Sequence, residues 1–192
     1  MWLDVLVPRF PLRQFPAMLA IASVGALIAS AFGIVHDQLT YTLSPEYFTR
    51  LKFQQFAWAN TGWPPRVFVG QIGLLASWWV GLIGGWLVAR SGAVALPPFD
   101  RWQRVARALA IVALVTAGAG LVGWIGGSIV AGNTDLAAWQ IARQALGVRD
   151  LPSFVTVAYI HNATYIGAAL GTLAALIDLR RNIALPPEAP VR

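Results

Sequence analysis

FPAMLAIASVGALIASAFGIV, residues 15–35, holds no charged side chain. About 20 helical residues cross the hydrocarbon layer of a bilayer, so this run is long enough to span. Pro16 stands where the first turn of a helix tolerates a missing N–H, and Arg9 and Arg13 precede the run as basic flanks. Ala29-Ser30-Ala31 has the A-x-A form of a signal-peptide cleavage site. The apolar run continues past it to Val35, which favours a retained anchor, with residues 1–31 kept in the mature chain.

The whole chain agrees with its first span. Of 192 residues, 57% are hydrophobic and 11% charged, with mean hydropathy +0.62, outside the range of soluble domains. Nine tryptophans and 14 basic against 8 acidic residues fit interfacial Trp and cytoplasmic Arg. The net charge of +6 therefore calls for lipid, not nucleic acid. Without cysteine, disulfide, thiolate-zinc and iron–sulfur chemistry are excluded. No haem site is expected; a divalent metal on nitrogen and oxygen donors is the cofactor these residues allow.

Three more apolar runs follow, over residues 67–88, 108–130 and 154–177. Ser77, Gly81 and Gly85 in the second, Ala119, Gly123 and Gly127 in the third, and Gly167 and Gly171 in the fourth repeat at intervals of four, a spacing that lets backbones approach closely. Such faces suit helix packing within the chain, a homo-oligomer or another membrane protein. Residues 133–146 read as a short interfacial helix, capped by Asn133-Thr134-Asp135 and ended by Gly147. Leu136, Trp139, Ile141 and Leu146 form its apolar side, Gln140, Arg143 and Gln144 its wet side. The fold class is all-α: a four-transmembrane-helix bundle over residues 1–182, with a polar tail at 183–192.

Orientation follows from the basic residues. Arg9, Arg13, Arg90, Arg101, Arg104, Arg107, Arg180, Arg181 and Arg192 fall on one side; Arg50, Lys52, Arg66, Arg143 and Arg149 on the other. Cytoplasmic loops carry the excess, so both termini and the Arg-rich middle loop are expected in the cytoplasm of an inner-membrane, multi-pass protein. That loop reads as a topology signal and anionic-lipid contact.

The chemistry gathers in two stretches. HDQLTYTLSPEYFTRLKFQQF, residues 36–56, holds His36, Asp37, Gln38, Tyr41, Glu46 and Tyr47, and the fourth span opens with Tyr159, His161, Asn162, Thr164 and Tyr165. Counted from Arg13 to His36 and from Arg180 to His161, the two histidines lie within roughly 6 Å of one depth. They are expected to meet at the outward end, with Glu46 in the first turn of a helix that Ser44 caps and Pro45 starts. Polar side chains in a span usually face the bundle interior, so the expected pocket includes Gln38, Tyr41, Tyr47, Tyr159, Asn162 and Tyr165.

Three working readings fit the pocket. A metal could sit on His36, His161 and Glu46 or Asp37; a carboxylate–imidazole pair of His36 with Glu46 could do acid–base work; a proton, ion or small solute could pass along His161 and the tyrosines. Conduction lacks a charged partner in the second and third spans. The plainest alternative is a structural or accessory membrane protein in which the same residues cap helices and satisfy carbonyls.

His36-Asp37-Gln38, Glu46-Tyr47-Phe48-Thr49, Trp78-Trp79-Val80-Gly81 and His161-Asn162 with Tyr165 resemble the shared motifs of a group of bacterial integral membrane proteins of unknown function. The resemblance spans about three quarters of the chain and departs at Ser77, where that group carries Thr. It implies the four-span topology and these site residues, and no activity.

Overall fold

The computed structural model describes residues 11–133 and 135–182; Arg9, Thr134, Arg192 and the tail at 183–192 lie outside them. The described residues are all-α. Helices α1 (Phe15–Leu43), α2 (Pro65–Arg90), α3 (Pro98–Asn133) and α5 (Leu151–Asn182) are the long elements, with short helix α4 (Gln140–Leu146) ahead of α5. Each long helix is apolar enough to cross a membrane, yet only 22–33% of its apolar window is buried. Lipid is the solvent that such an outward apolar surface fits.

All four helices run past their apolar windows, α2 by two residues at each end and the other three for local reasons. α1 continues eight residues beyond Val35, because HDQLTYTL contains no breaker. It stops at Ser44, extended at φ −144° and ψ 92°, since the residue before a proline is disfavoured in the α region. α3 begins at Pro98 rather than Ala108, its proline tolerated in the first turn, so the Arg-rich "loop" is largely helical. α5 starts at Leu151 behind Asp150, whose Oδ1 accepts the Ser153 N–H at 3.2 Å. The interfacial helix appears as a 3₁₀ turn (Leu136–Trp139) leading into α4, ended by Gly147 at φ 69°. Asp135 makes no side-chain cap there.

The four spans pair as two antiparallel hairpins, α1 with α2 and α3 with α5. Along the first seam Gly25 faces Gly81 and Gly85, and Gly33 faces Gly73 and Ser77. Along the second, Gly123 faces Ile160 and Ala163, Gly127 faces Thr156 and Gly171 faces Val112. A Cβ on Gly123 would lie 3.0 Å from Cα of Ile160, so backbone meets backbone there. The small-residue ladders are thus occupied within each hairpin.

The hairpins touch each other far less. At the Arg-rich end they share a core of Met18, Ile21, Val88, Val105, Ala108, Ala175 and Leu179. At the opposite, His-bearing end a second core joins Tyr47, Phe48, Val69, Ala142, Val148, Phe154 and Ile160. Between these caps lies an apolar cavity of about 100 Å³, bordered by Ala29, Phe32, Gly81, Ala113, Thr116 and Tyr165.

Candidate functional site

Because α1 extends to Leu43, His36 and Asp37 stand two turns inside a helix, not in a loop beyond it. Asp37 is 4% exposed and faces the second hairpin, where His161 is equally buried on α5. His161 Nε2 lies 3.2 Å from Asp37 Oδ1, and His161 Nδ1 lies 3.0 Å from the Val157 carbonyl. A carbonyl can only accept, so Nδ1 carries a proton and the tautomer is fixed. The Nε2–Asp37 contact then needs one more proton, held either by an imidazolium beside a carboxylate or by a protonated Asp37.

His36 completes the group. Its ring meets that of His161 edge-on, with centroids 4.8 Å apart, and stacks against Phe32 at 5.8 Å. Its Nε2 is sealed from solvent and has no hydrogen-bond partner among the described residues. One donor atom from each of His36, Asp37 and His161 falls within 4.8 Å of the others. A zinc-like ion at roughly 2.0–2.2 Å from each ligand needs donors no more than about 4.2 Å apart, so modest side-chain rotation would close the site.

The segment after α1 lids this cluster. Ser44 caps it through Oγ, which accepts the Tyr47 N–H at 3.4 Å. Residues 47–52 then form a π-helical turn, a wide turn frequent at functional sites, and it buries Tyr47 and Phe48 side by side. The Tyr47 ring stacks on His161 at 4.7 Å and Phe48 approaches the same imidazole edge-on at 5.9 Å. Burial pushes the Tyr47 phenol up, and the charge of Asp37 adds to the effect. Lys52 lies over the Tyr47 ring at 5.8 Å, and its ammonium is pushed down by burial.

Glu46 is engaged elsewhere. Its Oε2 accepts the backbone N–H groups of Arg149 and Asp150, both at 2.8 Å, which satisfies orphan donors ahead of α5 as the glutamate of a capping box does. The expectation that Glu46 joins both histidines as a metal or acid–base partner is therefore replaced by a strut that fastens the lid to the second hairpin. Asp37 holds the carboxylate position instead. Gln38 also turns away: its amide donates to the Arg66 carbonyl at 2.7 Å, while the Arg66 guanidinium reaches Gln38, Thr42 and the face of Tyr41. Asn162 is exposed, Tyr159 packs beside Trp139, and Tyr165 borders the mid-bundle cavity.

Phe32, Lys52 and the Val157 carbonyl shape the site without having been singled out as site residues by sequence, and Phe48, named only within its motif, turns out to pack on His161. Phe32 precedes His36 by one helical turn, a spacing legible once the helix is continued past Val35.

Comparison with protein-family models, with curated proteins and with solved structures finds no match to this chain. Its chemistry rests on the residues alone.

Proposed function

We propose that this is an inner-membrane metalloprotein that holds one divalent transition ion on His36, Asp37 and His161 at the outward face of the bundle, with both termini cytoplasmic. The supporting observations are the convergence of two imidazoles and a carboxylate, from two hairpins, with one donor atom of each within 4.8 Å of the others, and the buried His36 Nε2 that has no partner among the described residues. A buried polar atom without a partner costs about 1–3 kcal/mol, and an ion is one of the few things that repays it. The Val157 carbonyl fits the same reading, because metal-bound histidines commonly donate their second ring N–H to such a group. Two nitrogens and one oxygen suit zinc, iron or manganese and leave positions open to water or substrate. An ion so held would act as a Lewis acid toward an oxygen ligand.

A second reading has its own support. The His161–Asp37 contact joins the hairpins by itself, which suits a structural or accessory role. Elemental analysis of the purified protein separates the two. A stoichiometric transition metal is expected, lost in His36→Ala and His161→Ala but kept in Glu46→Gln. Protein free of metal after growth in metal-supplemented medium, or metal indifferent to His36→Ala, overturns the metal reading and leaves the structural one.

A further inference from the structure

His36 belongs to two places at once. It is a member of the cluster, and it also lines a groove of about 350 Å³ that opens sideways between α1 and α3, where the hairpins part. The inner part of that groove is apolar, formed by Phe32, Ala117 and Gly120. A second hollow of about 370 Å³, which shares Leu43 and Trp124 with the groove, lies nearer the end of the bundle and includes Ser128, Ser153 and Thr156 in its lining. Taken together, the two hollows go from apolar side chains beside His36 to a lining that includes three hydroxyl-bearing residues near the end of the bundle.

Depth ties this polarity to the bilayer. From Phe15 to His36 the helix rises about 32 Å, close to the hydrocarbon thickness of about 30 Å. His36 stands where acyl chains give way to glycerol esters and head groups. An occupant of the groove must come from the membrane, since the groove opens on lipid-facing side chains, Val35, Leu39 and Leu121 among them. Its apolar part must lie inward of His36 and its polar part outward.

We infer that the groove seats one glycerolipid of the bilayer, an acyl chain between α1 and α3 and its ester and head-group oxygens beside His36. This rests on the metal reading for its chemical purpose, because it makes a lipid ester or phosphodiester the substrate class held beside the one ligand of the ion, His36, that borders the groove. The docking itself depends only on the groove.

The test uses full-length protein in phosphatidylcholine nanodiscs containing a minor fraction of phosphatidylcholine with a diazirine beside the acyl carbonyl of one chain. After irradiation, adducts are mapped by peptide mass spectrometry. Label is expected to concentrate on Leu39, Thr40, Leu121 and Trp124, above the level on the lipid-facing α2 residue Val67, which the Arg66–Gln38 contacts place at the same depth. Gly120→Leu, whose new side chain enters the groove beside Thr164 Oγ1, and Ala117→Phe, which alters an exposed lining position, should each reduce groove labelling to the α2 level. If Gly120→Leu does not fold, Ala117→Phe carries the result. Groove labelling no higher than on α2, or unchanged in folded Ala117→Phe, overturns the inference. Running His36→Ala in parallel separates the two proposals: metal lost with labelling kept defeats neither, uniform labelling with metal bound defeats only the lipid site, and absent metal with concentrated labelling defeats only the metal.

Discussion

The seams inside each hairpin and the joint between the hairpins are built on opposite principles. Inside a hairpin, glycine brings backbone against backbone along most of the helix, as from Gly25 to Gly33 opposite Gly85 to Gly73. Between hairpins, the shared cores lie near the two ends, an apolar cavity remains at the waist, and among the described residues His161 and Asp37 form a buried polar link. Close backbone packing favours one register and resists sliding, whereas a side-chain joint can open by rotamer change. The candidate site sits on the joint, so its geometry is the part of the molecule best able to respond to an ion or a lipid.

Removing the polar link is the largest perturbation of that contrast. Asp37→Ala leaves His161 without its partner at the joint, and breaking a buried pair by deleting one member costs about 3–5 kcal/mol. Thermal unfolding in detergent should fall accordingly, and a cross-link between the hairpins should form more slowly than in the parent. An unchanged melting temperature would mean that the pair contributes nothing to the joint.

The seam is attacked by Gly123→Leu, whose side chain must displace the α5 backbone near Ile160. Overpacking of this kind costs about 1–3 kcal/mol, occasionally more. Gly118→Leu on the same helix meets nothing within 4 Å and should leave the melting temperature where it was. Equal effects from the two would dissolve the distinction between seam and surface.

Glu46→Gln gives the smallest expected change. It keeps the shape of the strut and weakens two charge-assisted hydrogen bonds to backbone N–H groups, for a loss of about 1 kcal/mol. Hydrogen exchange should rise at Arg149 and Asp150 before it rises within α5. Exchange that increases uniformly along α5 would show that the strut has no local role.

The four spans were legible because apolar runs of sufficient length have few alternatives to a bilayer helix. Their ends were less so. Polar residues such as those from His36 to Thr42 are compatible with helix, and only the Ser44-Pro45 pair stops the chain. The meeting of His36 and His161 could be read from depth alone, whereas the carboxylate could not. Glu46 and Asp37 were both within reach, and the choice was made by backbone amides 103 and 104 residues further along the chain. Asn162 illustrates the opposite failure: one residue on a helix is a turn of about 100°, enough to carry it from the His161 face to the outside.

The seams and the site also differ in when they can form during biosynthesis. Each hairpin is nearly contiguous in sequence and closes as soon as its second helix is made. The Asp37–His161 contact spans 124 residues. At synthesis rates of about 5–20 residues per second, Asp37 waits about 6–25 s for its partner even to be translated. During that interval the first hairpin carries a carboxylate and an unpaired imidazole near the edge of the hydrocarbon, where the ribosome-bound chain can keep them only by staying hydrated. Emergence of α5 is what lets α1 settle.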